Sequence, residues 1–265
     1  MLLIKYLVLG IIQGFTEPLP ISSSGHLKLF KCLIKSNVLN DLNFEIIVNF
    51  GSLIAIIVLY KNELINIIKD FILYIKTQKK DYKTNYNYGL YIIIGTIPAA
   101  IFGFIFKDFI EKYFNIKLIG LMFIITAILI YTIKDIKGKS QKKDMTYFDA
   151  FKIGLFQSLA LIPGISRSGM TIVGGMKVNL NKDTAFDYSF MLYIPVSIAA
   201  FILGIKDFLN TINIKLIIPY IVSMIISCIT TYYSTKLFSN IMKKGKLIYF
   251  SIYCFILGSI IILVF

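Results

Sequence analysis

One arginine, one histidine and three scattered cysteines are all that this 265-residue chain holds of those residue types. Cys32, Cys228 and Cys254 lie far apart, in or beside apolar runs and without metal-ligand spacing, which leaves packing as their role. Acidic residues are also few, 14 against 28 lysines and arginines, so the formal net charge is +14. No base-stacking motif accompanies that charge, which argues against nucleic-acid binding. The charge sits in loop lysines and reads as membrane topology and contact with lipid headgroups. A small-residue cleavage site is missing after the apolar run Met1–Ile12. That run passes directly into Gln13 and Glu17 and is expected to be retained structure.

What the chain has in abundance is apolar sequence. Hydrophobic residues make up 57% of it, against about 45–50% in soluble domains. Apolar runs of about 20 residues, the length that crosses a bilayer, recur along it. The expected fold class is an all-α integral membrane protein. Full spans are placed near 42–60, 88–107, 117–134, 184–205, 215–237 and 247–265. Residues 64–75, inside the lysine-rich stretch 61–87, read as an interfacial helix.

Two apolar pieces, 2–14 and 147–162, are too short to cross and end in polar breaks. The first break is Phe15-Thr16-Glu17-Pro18-Leu19-Pro20, followed by Ser22-Ser23-Ser24-Gly25-His26; the second is Pro163-Gly164-Ile165-Ser166-Arg167-Ser168-Gly169. Proline stops a helix and serine restarts one. A helix is therefore expected to resume near His26 and again after Gly169, making re-entrant hairpins of 2–41 and 147–182. Irregular backbone at membrane depth is tolerated only inside protein or beside a wet cavity.

The two halves repeat. A shift of 144 residues, without a gap, lays Gly10 on Gly154, Gln13 on Gln157, Ser22 on Ser166, Ser24 on Ser168 and Gly25 on Gly169. It also lays Glu17 on Leu161 and Ser23 on Arg167. The expected organisation is one membrane domain of two repeats, 1–140 and 141–265, each a re-entrant hairpin plus three transmembrane helices. Three crossings per half is odd, so the repeats have inverted topology. In that arrangement the lysine-rich loops 61–87, 134–146 and 238–246 share one side, which the positive-inside rule makes cytoplasmic. Lys28, Lys31 and Lys35 fall on the outer side and fit the rule poorly.

Inverted hairpins bring the two breaks together near the midplane. The half-helices after each Ser-x-Ser-Gly then point their N–H groups at one place, a setting for anions. In a chain that otherwise uses lysine, Arg167 adds the planar fork that grips phosphate with two parallel bonds. A buried arginine costs about 2.5–3.5 kcal/mol on insertion scales, and such groups are functional by default. The bland alternative is a structural Glu17–Arg167 pair locking the hairpins. Gln13 and Glu17, four residues apart, share a helix face. Candidate catalytic residues are Ser23, His26, Glu17 and Arg167. Candidate phosphate-binding residues are Gln13, Ser22, Ser24, Gly25, Ser166, Ser168 and Gly169. Either Ser23 or His26 serves as nucleophile on this reading. In the Ser23 version, His26 is the base and Glu17 orients it.

Gln13-x-x-x-Glu17, Pro20-x-Ser22-Ser23-Ser24-Gly25-His26 and Pro163-Gly164-x-Ser166-Arg167-Ser168-Gly169, taken together, resemble the bacterial undecaprenyl-diphosphate phosphatases, the bacitracin-resistance family. The resemblance covers nearly the whole chain. It implies a multi-pass enzyme of the bacterial cell membrane that removes the terminal phosphate of the C55 lipid carrier diphosphate for peptidoglycan synthesis, with an active site open to the extracytoplasmic side. It also implies a divalent cation, Mg²⁺ or Ca²⁺, for which Glu17 with Gln13 is the candidate site. The family's first motif position is Glu or Gln, and here it is Gln13, so one carboxylate is missing. The implied partners are a polyprenyl diphosphate, the bilayer and, in a homodimer, a second copy of the chain, with no nucleic acid. The rival class is an inverted-repeat transporter or flippase of an anionic lipid phosphate; a structural scaffold would leave Glu17, His26 and Arg167 without a role.

Overall fold

The computed structural model describes residues 2–34, 42–113, 115–211, 214–244 and 246–265. Lys35 and the end of the hairpin expected over 2–41 lie outside the described residues. Among those described there are eleven α-helices and no β-strand. They are α1 (Leu2–Thr16), α2 (Ser23–Leu33), α3 (Leu42–Leu59), α4 (Lys61–Thr77), α5 (Lys80–Tyr113), α6 (Ile116–Tyr131), α7 (Tyr147–Leu159), α8 (Arg167–Lys177), α9 (Lys182–Thr211), α10 (Ile217–Lys243) and α11 (Ile248–Val264).

The local sequence explains where the helices start and stop. α1 ends at the Glu17–Pro20 break, and α7 ends four residues before Pro163. α7 begins with a capping box between Thr146 and Asp149. α2 and α8 begin in the same way as each other. Ser22 accepts from the Gly25 N–H at 3.3 Å, and Ser166 accepts from the Gly169 N–H at 3.1 Å. Both helices therefore resume three residues earlier than the sequence reading places them, because the first serine of each Ser-x-Ser-Gly is the cap. Ser23 and Arg167 become first-turn residues.

Three helices are long and apolar enough to cross a membrane: Lys80–Phe106, Lys182–Ile205 and Ile214–Ile241. They overlap the stretches 88–107, 184–205 and 215–237. α3 and α4 together make a fourth if taken as one bent span, with 73° between them. The regions expected to span at 117–134 and 247–265 form helices of only 16 and 17 residues, shorter than the ~20 that a full crossing takes. Large apolar side chains face outward, Phe104 85% exposed and Leu263 84% exposed. Such a surface suits hydrocarbon rather than water.

Helix packing relies on small residues and hydroxyls, as expected where lipid removes the hydrophobic drive for helices to associate. α1 packs on α10, α5 on α7, α6 on α11, and α3 on both α9 and α10. Ser227 on α10 donates to the Val48 carbonyl of α3 at 2.8 Å, and Ser234 to the Phe15 carbonyl of α1 at 2.8 Å. α6 and α11 touch through glycine on both sides: a Cβ on Gly258 would sit 2.5 Å from the Gly120 carbonyl oxygen, and one on Gly120 would sit 3.0 Å from that of Gly258.

This seam yields a paired test. Gly258→Ala should force α6 and α11 apart at a cost of about 1–3 kcal/mol and lower the thermal midpoint in detergent. Gly103→Ala, whose Cβ would meet nothing nearer than 3.8 Å, should leave the midpoint unchanged or raise it, since alanine favours helix over glycine. Equal midpoints for the two variants would refute the close seam.

Candidate active site

The two breaks meet. Ser168 donates from Oγ to the Leu19 carbonyl at 2.9 Å. Thr126 on α6 donates to the Gly164 carbonyl at 3.1 Å and accepts from the Ser166 N–H at 3.2 Å. A Cβ on Gly25 would stand 3.1 Å from Gly164 Cα. Gly164 has φ +97°, and Ser22 has φ +65°, a conformation that a residue with a side chain seldom adopts. Ser22 is held there from its carbonyl, which accepts from both the His26 backbone N–H at 3.2 Å and the His26 ring at 2.7 Å. Strain kept in place by surrounding bonds at such a break points toward function.

Glu17 is the hub. Its Oε1 accepts from Arg167 Nη2 at 2.5 Å. Its Oε2 accepts from Gln13 Nε2 at 2.9 Å and from the Ser23 hydroxyl. Glu17 is 10% exposed and Arg167 16%. Two charges at that depth need each other, since either alone would remain a poorly solvated ion. The Arg167 guanidinium lies 3.9 Å above the Tyr193 ring. Arg167 Nη1 is buried with no hydrogen-bond partner among the described residues, and so is Gln157 Oε1.

Two cavities open from this hub. The larger, about 230 Å³, is lined by the polar residues Gln13, Glu17, Ser23, Ser24, Arg167, Glu45, Asn49 and Gln157 and by apolar ones that include Leu27, Ala99, Leu161 and Val196. The smaller, about 50 Å³, lies between the two serine caps and is lined by Ser22, Ser24, Ser166 and Ser168. Glu17, Ser23 and Arg167 line both. The N-termini of α2 and α8 thus face one small polar chamber, as helix ends do around an anion.

Of the residues singled out in the sequence, Gln13, Glu17, Ser22, Ser23, Ser24, Ser166, Arg167 and Ser168 come together here. Gly25 and Gly169 border the site, but each gives its N–H to a serine cap rather than leaving it open to a ligand. His26 does not join the group. It is 2% exposed, its Nδ1–H donates to the Ser22 carbonyl, and its Nε2 pairs with the Tyr253 hydroxyl at 2.7 Å. A carbonyl only accepts, so Nδ1 carries the proton and Nε2 accepts from Tyr253. The expected contact between Glu17 and His26 is absent from this geometry, and it is Glu17 that bonds Ser23.

The sequence reading passed over Glu45, Asn49 and Tyr193, and took Gln157 only as the repeat partner of Gln13. Glu45 and Asn49 were visible as polar residues four apart inside an apolar run, a signal of function in a membrane helix. Lys31, the poor fit to the lysine topology, is buried with its side chain 3% exposed and donates to Glu45 at 2.7 Å. It is an interior partner rather than a loop charge. For a cation the donor set is thin. Among the described residues no three of His, Cys, Asp and Glu are grouped to hold a metal. Both Glu17 oxygens are already bonded, and Glu45 is paired with Lys31. These residues do not form a resident cation cage.

The chain is similar to known proteins over nearly its whole length. The undecaprenyl-diphosphatase 1 of Bacillus cereus is 45% identical over 257 residues, 96% of this chain and 95% of the relative. The undecaprenyl-diphosphatase 1 of Bacillus licheniformis is 41% identical over 266 residues, 99% of this chain and 98% of the relative. The undecaprenyl-diphosphatase of Oceanobacillus iheyensis is 39% identical over 265 residues, covering 98% and 96%. The family model described as "Bacitracin resistance protein BacA" matches residues 6–260, a stretch that includes the Glu17 hub, both serine caps and Arg167. On that match, this multi-pass membrane chain belongs to the bacitracin resistance protein family.

Proposed function

We propose that the chain hydrolyses the terminal phosphate of undecaprenyl diphosphate, yielding undecaprenyl phosphate and inorganic phosphate and so recycling the lipid carrier for peptidoglycan synthesis and conferring bacitracin resistance. The observation that carries this reading is the convergence of a serine hydroxyl and an arginine guanidinium on one buried carboxylate.

In this mechanism Ser23 Oγ attacks the terminal phosphorus and the phosphoanhydride bond breaks. Glu17 takes the serine proton and hands it to the departing lipid monophosphate, which leaves Glu17 ionised again. Water then attacks the phosphoserine. Its proton passes through Glu17 back to Ser23 Oγ, and inorganic phosphate is released. Arg167 and the Ser166 hydroxyl meet the charge that builds on the transferring phosphoryl oxygens, while Ser168, whose proton goes to the Leu19 carbonyl, lines the chamber beside them. The apolar lining of the larger cavity suits the first isoprene units. His26 acts by holding the Ser22 carbonyl, which sets the backbone on which Ser23 stands. A divalent cation, Mg²⁺ or Ca²⁺, belongs to this reading as a companion of the diphosphate, whose charge it would neutralise on binding, while the chain's own residues carry the steps above.

The same reading takes the architecture as two inverted-topology repeats in the bacterial cell membrane, with the site open to the extracytoplasmic side. Contacts between equivalent positions support it. Ser23 and Arg167, 144 apart, both bond Glu17. Asn49 and Tyr193, also 144 apart, bond each other at 2.8 Å. Equivalent residues of two halves touch one another only at an axis that relates them. The helix pairs follow the same exchange, α1 on α10 matching α7 on α5.

Purified protein in detergent should release phosphate from a polyprenyl diphosphate. Transport needs two compartments and hydrolysis does not, so an inactive wild type would bring the transporter reading forward. Arg167→Lys keeps the charge but loses the fork, and should lower the turnover by about 10²–10³-fold, the range for removing one preorganised donor. Ser23→Ala should abolish both turnover and a trapped phosphoenzyme mapped to residue 23. Turnover that survives in Ser23→Ala would favour direct attack by water. EDTA should stop the reaction and Mg²⁺ restore it; activity indifferent to EDTA would remove the cation from the reading.

A further inference from the structure

We propose that Tyr193 is a positioning residue for Arg167. Its ring fixes the plane of the guanidinium so that Nη2 stays on Glu17 while Nη1 is presented to a substrate phosphate. This rests on the phosphatase reading above.

The first observation is the stack itself, with the guanidinium carbon 3.9 Å from the ring centroid. Tyr193 is 2% exposed, so the shelf beneath Arg167 is not a surface ring free to swing. It is anchored at its far end, where the hydroxyl donates to Asn49 Oδ1 at 2.8 Å and approaches the Asn49 carbonyl at 3.2 Å. Asn49 lies one helical turn from Glu45 on α3, so the anchor comes from the wall facing the arginine.

The second observation is the state of the fork. Nη2 is bonded to Glu17, whereas Nη1 is enclosed and has no partner among the described residues. Leaving a buried charged donor unpaired costs free energy that ordinary folding avoids. Arg167 also lines the small chamber between the serine caps. A phosphate oxygen entering that chamber would relieve Nη1 without breaking the Glu17 bond. The two nitrogens lie in one plane, so fixing the plane fixes where the second points. A ring face fixes a plane and leaves sliding within it free. An apolar side chain of similar size would fill the space without setting the orientation.

The third observation is positional. Asn49 and Tyr193 are equivalent under the 144-residue shift, yet they differ in type, one accepting and the other donating while offering a ring. The contact that joins the halves also orders the arginine.

The test is steady-state phosphate release from farnesyl diphosphate in detergent for Tyr193→Phe and Tyr193→Leu, each made in wild type and in Arg167→Lys, with thermal midpoints recorded. In the wild-type background, Tyr193→Leu should lower kcat/KM by about 2- to 30-fold, the range for a cation–π stack. Tyr193→Phe, which keeps the face, should recover most of that loss. In Arg167→Lys, which has no plane to orient, Tyr193→Leu should change kcat/KM less than about 2-fold, since residues that act through one contact are not additive. If Arg167→Lys turns over too slowly, calorimetric binding of farnesyl methylenediphosphonate, which resists hydrolysis, replaces the rate. Equal losses for Tyr193→Leu in both backgrounds, or a Tyr193→Phe loss as deep as that of Tyr193→Leu, would overturn the proposal and leave the phosphatase reading standing. A wild type that releases no phosphate overturns both.

Discussion

A single carboxylate, Glu17, holds this site together. Its two oxygens take an arginine from the second break, a serine from the first, and a glutamine from the helix that delivers it. In water such an ion pair would contribute little. Buried among apolar helices, neither member can be left alone, because removing one strands the other as an unpaired ion. The two breaks, their serine caps and the chamber between them are therefore mutually dependent. The geometry that would bind phosphate is the same geometry that keeps two interrupted helices at depth.

The lipid setting explains the rest of the construction. Helices associate here through glycine seams and hydroxyl-to-carbonyl bonds, and apolar side chains are left to face outward. Broken backbone is confined to a place where protein surrounds it. Polar groups that would be costly elsewhere are gathered there, and among the described residues Arg167 Nη1 and Gln157 Oε1 are buried side-chain atoms without a partner. Those two atoms lie on residues that line the larger cavity.

Much of this was legible in the sequence, because the signals were local or periodic. Proline and serine announced both breaks, the lone arginine stood out against lysine, and the 144-residue shift paired Ser23 with Arg167 before any contact was known. What stayed hidden depended on direction or on distance. His26 sits within a turn of Ser23, but spacing alone does not say toward which neighbour a ring turns. Tyr253, 227 residues away, supplies its second partner. Tyr193 reads as one more aromatic in an apolar span, and only the approach of α9 to α3 gives it a role. Lys31 looked like a charge on the wrong side because hydropathy cannot see Glu45 waiting on the next helix. The short lengths of α6 and α11 were equally invisible, since an apolar run does not show where its helix ends.

The bond between Asn49 and Tyr193, and the meeting of Ser23 and Arg167 on Glu17, have a consequence for how such a molecule can be assembled if its halves are the proposed repeats. Suppose the first half were to join a copy of itself in the same arrangement. Two Glu17 carboxylates would then face each other across the centre with no cation between them. A pair of second halves would set two Arg167 guanidiniums together, with Leu161 where each needs a carboxylate. One assembly carries two uncompensated negative charges, the other two positive ones. If the halves are the proposed repeats, only unlike halves sum to zero at the centre, and the site belongs to the two together.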